Sequence, residues 1–286
     1  MPKVPPLFIF QQKIALQVAF ALDQMSIKKV IKRLVFSSIN IRIFSITIFL
    51  FIAGNKVIAQ KNITNRVQSW YGYFNQTRLS DKWGIWLDAH VRNLDFSHPH
   101  QIFLRPGLTY YFNDNFRLTA GYAYGFNFAT EGKTTTWQEH RPWQQFWWRT
   151  KYTGFVTTQW IRTEQRFIEK VVDDQLTGDY LFNYRLRYNI LLQVPLIGKE
   201  LKAKTPYFAL QDEIFINAGK NIVNNIFDQN RFFVGLGYYF TDHLHIQLGY
   251  MNIFQQRPTG VDFYNNDCIR LFVFHSLDLR KKEAAH

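Results

Sequence analysis

The sequence predicts an all-β protein: a single transmembrane, antiparallel, up-and-down β-barrel of about 12 strands, with 10 strands as the alternative. Alternating polar and apolar segments recur from residue 66 to residue 279, and a period of two indicates a strand with two unlike faces. Most segments span 11–14 residues, close to the ~9–11 tilted residues that cross a bilayer. Aromatic residues make up 18% of the chain at a mean hydropathy of −0.22, as expected for half-apolar strands.

The first 59 residues read as an export segment. Residues 1–24 are predicted to be an upstream extension of the reading frame, and residues 25–59 a secretory signal peptide. The signal has a basic region that includes Lys28 and Lys29, an apolar run at 43–54, and small residues up to Ala59. A retained membrane anchor is the alternative, but the run is shorter than the ~20 residues of a spanning helix. Residues 60–286 are then the barrel domain.

The exported region divides into eleven alternating segments and the links between them. The segments are 66–79, 83–93, 101–112, 116–128, 140–151, 156–168, 179–194, 206–217, 229–240, 244–255 and 267–279. Residues that tolerate turn geometry form short links at 80–82, 113–115, 152–154 and 241–243. Longer links alternate with them at 94–100, 129–138, 169–178, 218–228 and 256–266, and a basic link at 195–205 is an exception. Short turns on one rim and long loops on the other are typical of outer-membrane barrels, with the short side periplasmic.

The strand count follows from closure. Eleven strands leave two parallel neighbours, whereas bacterial barrels have even numbers of strands. We therefore predict twelve strands, with a further short strand near 60–68, or ten if one segment is not a strand.

The stretch 180–194 shows which face points outward. Leu186 and Ile190 share one parity, and Arg185 and Arg187 share the other. In other segments, such as 116–128, glycines and small residues collect on the arginine-bearing side. A closed interior needs small residues, so the apolar face is predicted to meet lipid. Aromatic residues at strand ends would form interfacial girdles: Trp83, Phe112, Phe116, Phe128 and Phe240. A secreted, soluble β-sandwich that binds a ligand is the alternative.

The inward parity predicts a polar network that lines the lumen. Its members are Asp88, His90, Arg92, Arg105, Arg117, Glu139, Arg141, Gln145, Arg149, Arg162, Glu164, Arg166, Arg185, Arg187, Glu213, Arg231 and Arg270. Arginine stays charged and offers a planar fork to carboxylates or phosphates. One interpretation is a structural interior of Arg–Glu pairs that fills the lumen; the other is an anion-attracting channel. The narrow interior of a 10–12-stranded barrel favours the structural interpretation.

Other function classes find little support in the sequence. Beyond residue 59 the chain carries 26 basic and 20 acidic side chains, so we expect no nucleic-acid partner. Its single cysteine, Cys268, excludes an internal disulfide framework. His98 and His100 are a weak metal signal, and no cofactor or metal is predicted.

A lipid-modifying outer-membrane enzyme is an alternative function. Two serine–histidine pairs could serve it, but His275 and Ser276 point to opposite faces of a strand. The second pair, Ser97 and His98, has no evident third partner in the sequence. We therefore predict no catalytic residues.

Several charged motifs resemble a known family. "EHRPWQQ" (139–145), "IRTEQRF" (161–167), "YRLRY" (184–188), "DEIFIN" (212–217) and "NRFFVGLGYYF" (230–240) are similar to the domain of unknown function 2490 (DUF2490) family, over about residues 66–279. The resemblance implies an outer-membrane β-barrel and supplies neither a substrate nor catalytic residues.

We expect a monomer in the outer membrane of a Gram-negative bacterium, surrounded by outer-membrane lipid and inserted by the barrel-assembly machinery. Its expected role is passive transport or structural support of the envelope, without enzyme activity.

Overall fold

A computed structural model describes residues 62–129, 132–220, 222 and 225–280. The predicted upstream extension and signal peptide lie outside these residues. The described residues form one closed barrel of eleven strands. The strands are β1 Asn62–Arg78, β2 Trp83–Leu94, β3 His98–Asn113, β4 Phe116–Asn127, β5 Trp137–Tyr152, β6 Phe155–Val172, β7 Gln175–Pro195, β8 Thr205–Ala218, β9 Phe227–Tyr239, β10 Leu244–Gln256 and β11 Asp262–Asp278. No helix in this part of the chain is long and apolar enough to cross a membrane.

The barrel closes through a parallel pair, so the predictions of twelve and of ten strands are both wrong. Strands that follow each other in sequence pair antiparallel, but β1 pairs parallel with β11, from Asn62 opposite Asp262 to Arg78 opposite Asp278. The stretch near 60–68, where a further strand was expected, belongs to β1 itself from residue 62 onward. An odd number of strands requires one parallel seam, because the first and last strands then run in the same direction.

Side chains join the two strands of this seam. Inside the barrel the amide of Gln68 donates to Asn266 at 2.9 Å, and its own oxygen accepts from the Trp70 indole at 2.7 Å. On the outer side, Asn265 donates to Asn65 at 2.9 Å. These bonds supplement a parallel ladder, which is slightly less stable per residue than an antiparallel one.

The links fall on two rims. The turn rim carries 79–82, 114–115, 153–154, 196–204 and 240–243, and the loop rim carries 95–97, 128–136, 173–174, 219–226 and 257–261. Two links expected to be long, 94–100 and 169–178, are tight turns, because the flanking strands continue beyond the predicted ends. The two rims therefore differ less in link length than the sequence suggested.

The barrel is apolar outside and polar inside. Leu186 and Ile190 are 45% and 37% exposed, whereas Arg185 and Arg187 are each 5% exposed. One closed sheet with this orientation differs from the alternative of a β-sandwich, in which apolar faces of two sheets pack against each other.

Inward glycines make room for aromatic rings. Gly125 on β4 lies opposite Phe103 on β3, and a Cβ at residue 125 would come within 2.6 Å of that ring. In the same way Gly72 lies opposite Phe272 across the parallel seam, 2.8 Å from the position of a Cβ. The small inward residues found in the sequence therefore admit bulky neighbours, and much of the interior is filled.

Candidate functional site

The barrel interior holds a continuous group of ion pairs between β5 and β9. Glu164 is its centre: it accepts from Arg185 at 2.6 Å and from Arg187 at 2.5 Å. We call this group the ion-pair cluster and define it as Glu139, Arg141, Glu164, Arg166, Arg185, Arg187, Glu213 and Asp228. Its four arginines and four carboxylates balance in charge, and two further arginines, Arg162 and Arg231, lie 3.9 Å from Glu164 and Glu213 at its edge.

The cluster extends from Glu164 in both directions around the barrel wall. Toward β5, Arg141 lies 3.6 Å from Glu164 and donates to Glu139, which also accepts from Arg166. Toward β8 and β9, Arg187 donates to Glu213, and Arg185 donates to Asp228 at 3.0 Å. Because breaking a buried ion pair leaves an uncompensated charge and is costly, these bonds fix the side chains within the lumen.

A smaller polar group lies on β2 and β3. The Asp88 carboxylate, which is fully buried, accepts from Arg105 Nε at 2.8 Å and from the Trp86 indole at 2.7 Å. His90 Nε2 is 2.9 Å from the same carboxylate. The Arg105 guanidinium and the Trp86 indole both donate to this carboxylate and hold it in place, which suits a structural role.

Three other inward arginines, Arg92, Arg117 and Arg270, are held by rings or amides. Within the described part of the chain, Arg92, Arg117, Arg149 and Arg270 have no carboxylate within 4.0 Å. The guanidinium of Arg270 lies 3.3 Å from the centre of the Phe233 ring and donates to Gln211 and Gln247. Arg117 lies 3.6 Å from the Trp147 ring. Cation–π contacts of this kind stabilise a desolvated guanidinium without neutralising it.

A cavity of about 340 Å³ occupies the lumen on the side of the turn rim. Eight arginines but only two carboxylates, Glu213 and Asp242, line it. Asp242 is in the 240–243 turn, and its carboxylate accepts from the backbone N–H of Ala203 in the 196–204 link. Leu201 of that link also lines the cavity, so the basic link lies beside the cavity mouth.

Every side chain of the predicted lumen network is buried or half-buried in the barrel. The structure brings most of its members into the ion-pair cluster, the Asp88 group or the cavity wall. The sequence analysis missed Asp228, an acidic member of the cluster. The β8–β9 pairing shifts register between Phe215 and Ile216, so Asp228 turns inward although its parity is opposite to that of Arg231. A bulge of this kind interrupts the alternation on which the prediction rested.

The serine–histidine pairs occupy different surroundings. His275 Nδ1 lies 3.0 Å from the Tyr73 hydroxyl, and both His275 and Ser276 line the cavity. Ser97 Oγ is 3.3 Å from His98 Nδ1, and Asp95 is a third group at 3.7 Å. However, the Ser97 hydroxyl and the Asp95 carboxylate both approach the same nitrogen of His98, Nδ1. A triad needs the carboxylate on one nitrogen and the nucleophile on the other, so this exposed set lacks that geometry.

No group of three or more potential metal ligands occurs among the described residues.

One carboxylate joins two neighbouring links of the loop rim. Asp174, in the turn between β6 and β7, accepts from the backbone N–H groups of Thr134 and Thr135 at 2.9 Å and 3.0 Å. These bonds, which favour the ionised form, lower the pKa of Asp174 to about 2. The contact links the β6–β7 turn to the 128–136 loop.

Comparison with known proteins gives one match. A family model described as "Protein of unknown function (DUF2490)" matches residues 67–265. No curated protein matches the chain, and no solved structure matches it.

Proposed function

The chain belongs to the DUF2490 family, and we propose that it is an outer-membrane β-barrel whose lumen is closed, with a structural role in the envelope. The observation that carries the closed lumen is the ion-pair cluster. Its side chains extend inward from five consecutive strands and are bonded to one another. Arg231, which lies 3.9 Å from Glu213 of the cluster, is also 4.8 Å from the centre of the Trp70 ring on β1, so contacts extend from the cluster toward the opposite wall. A solute would have to displace these contacts, and charge-assisted bonds are among the stronger contacts in proteins.

The outer face supports the membrane location. Exposed apolar side chains occur on every strand, among them Leu108, Leu236 and Leu248, which are 53%, 57% and 53% exposed. Soluble monomers rarely expose apolar patches of more than a few hundred Å². In lipid the same surface is solvated by hydrocarbon.

Aromatic residues border this apolar surface. Trp83, Phe112, Phe116 and Phe240 are exposed beside the turn rim, and Phe167, Tyr180 and Tyr184 are exposed toward the loop rim. Such girdles fit the two membrane–water interfaces. Phe128, predicted for a girdle, is half-buried beside the loop rim.

The proposed setting is the outer membrane of a Gram-negative bacterium. There the protein would contact outer-membrane lipid, be inserted by the barrel-assembly machinery and act as a monomer. Fractionation tests the location: the protein should sediment with outer membranes and need detergent for extraction. Recovery as a soluble protein without detergent would contradict the proposal.

Conductance tests the closed lumen. In planar lipid bilayers we expect the protein to show no steady stepwise current. Replacing both Arg185 and Arg187 with Ala removes four ion pairs of the cluster, and we expect this variant to conduct. The matched control is Arg280→Ala, which removes an exposed arginine that pairs with Asp81 and Asp278 outside the lumen; it should remain silent.

Passive transport of anions is the second candidate, favoured by the eight arginines along the cavity. The same recordings separate it from the first. A stable channel in the unmodified protein, with an anion preference that Arg185→Ala and Arg187→Ala abolish, would support transport and contradict the closed lumen.

A further inference from the structure

We propose that the cavity beside the turn rim is a binding site for a small anion that carries a carboxylate or phosphate group. Eight arginines and two carboxylates line the cavity. Four of these arginines, Arg105, Arg162, Arg187 and Arg231, have a carboxylate within 4.0 Å. The other four, Arg92, Arg117, Arg149 and Arg270, have none among the described residues. This excess of positive charge favours an anionic occupant, because the repulsion among the guanidinium groups falls when one binds.

The arginines have unused donors. Arg162 and Arg270 are 3% and 2% exposed and line the cavity. Arg162 Nη1 and Arg270 Nε have no hydrogen-bond partner among the described residues. Buried donors without partners cost free energy, so a ligand oxygen that accepts from them would be favoured. The planar fork of arginine matches carboxylate and phosphate geometry.

Two arginines near the turn rim are placed to meet the ligand first. Arg117 is the second residue of β4, and its partner position on β5 is Trp147. Arg149 is two residues further along β5, on the same face, so the two guanidinium groups occupy diagonal positions on adjacent strands. Both lack a carboxylate within 4.0 Å among the described residues, and the Nε atom of each has no hydrogen-bond partner there.

The aromatic residues of the cavity wall favour a ligand that also has an apolar part. Trp86, Trp147 and Trp160 line the cavity, together with Phe272 and Phe274. A volume of about 340 Å³ is at the lower end of small-molecule pockets, which span ~300–1,000 Å³. The site therefore suits a compact anion, and an aromatic carboxylate can use both the rings and the guanidinium groups.

The test is a titration of the full chain in detergent micelles, read by tryptophan fluorescence, with inorganic phosphate, benzoate and the neutral analogue benzamide. We expect saturable binding of benzoate or phosphate with a Kd of about 1 mM or tighter, and at least about tenfold weaker binding of benzamide. Binding of benzoate but not phosphate assigns a carboxylate site with an aromatic wall; the reverse assigns a phosphate site. Binding of neither anion, or equal binding of benzoate and benzamide, overturns the proposal.

Variants locate the site. Arg117→Gln with Arg149→Gln should weaken anion binding about tenfold or more, while Arg280→Gln, outside the cavity, should leave it unchanged. Equal affinity in the double variant and the control would overturn the placement. If the double variant does not fold, the single variant Arg149→Lys takes its place in the titration. It keeps the positive charge but lacks the planar guanidinium, so it should bind the anion more weakly than the unmodified protein. The titration in micelles detects anion binding to the folded protein, whereas the bilayer recording detects current through the lumen. The two tests can therefore fail independently of each other.

Discussion

Glu164 is the residue through which the two halves of the ion-pair cluster are joined. Each of its oxygens accepts from a different arginine, and its side chain is 1% exposed. Alternation in the sequence places Glu164 and Arg185 on one face, but it cannot say which arginine meets which carboxylate. That choice depends on strand register: Glu164 lies opposite Arg185, and Arg162 opposite Arg187.

We expect Glu164→Gln to destabilise the barrel by about 3–5 kcal/mol, because it leaves Arg185 and Arg187 buried with too little negative charge. The change keeps the size of the side chain. Unfolding in urea, followed by tryptophan fluorescence in micelles, measures the free energy.

Glu200→Gln is the matched control, since Glu200 is exposed in the 196–204 link. It should change the stability by less than about 0.5 kcal/mol. If Glu164→Gln has an equally small effect, the cluster does not hold the interior together by charge. Adding Arg187→Gln to Glu164→Gln should recover part of the loss, because the two residues are in direct contact.

At the scale of elements, the β6–β7 hairpin shows where the sequence analysis fell short. The strands contain 18 and 21 residues, longer than the segments predicted, and they continue through 169–178 to a turn at Asp173 and Asp174. In residues 169–178, polar residues occupy both faces of the hairpin. The alternation that identifies a strand in the sequence is therefore absent, although the backbones of β6 and β7 remain hydrogen-bonded to each other. Both turn residues have positive φ, at 50° and 59°, as a tight hairpin of this kind requires.

We expect Asp174→Ala to loosen the 128–136 loop, because Thr134 and Thr135 lose the carboxylate that accepts from their N–H groups. Trypsin should then cleave after Lys133 several-fold faster. The control is Asp173→Asn at the neighbouring turn position. Equal cleavage in the two variants would show that the carboxylate does not order the loop.

The same contact predicts a pH dependence. The pKa of Asp174 is lowered from 3.8 to about 2 in the folded chain, so its stabilising effect is complete above the ordinary value and is lost as pH falls through about 2. Amide exchange at Thr134 and Thr135, corrected for intrinsic rates, should show equal protection at pH 7 and pH 5. A loss of protection between these values would contradict the assignment.

At the scale of the whole molecule, the parallel seam follows from the eleven segments that the sequence shows, but the prediction rejected it in favour of an even number of strands. Eleven alternating segments were visible, but a period of two carries no information on which strands pair or in which direction. The expectation of an even number came from other barrels, and mitochondrial barrels with 19 strands show that odd closure is possible. Here β1 and β11 meet in parallel over their full length.

A cysteine pair tests this register. Gln68 lies opposite Cys268 across the seam, at the ~4.8 Å spacing of adjacent strands, which a disulfide can bridge. We expect Gln68→Cys to form a disulfide with Cys268 when the protein folds under oxidising conditions, seen by mass spectrometry of the digested protein. Gln76→Cys, eight residues further along the same face of β1, should not. Cross-linking of the second variant alone would indicate a different register.

The direction of the seam also determines on which side of a membrane the first strand begins and the last strand ends. Asn62 begins β1 at the loop rim, and Asp278 ends β11 at the turn rim. In a bilayer, an epitope inserted before Asn62 and one placed after Arg280 would face opposite compartments. Antibodies added to intact cells would therefore label one of them and reach the other only after the envelope is permeabilised.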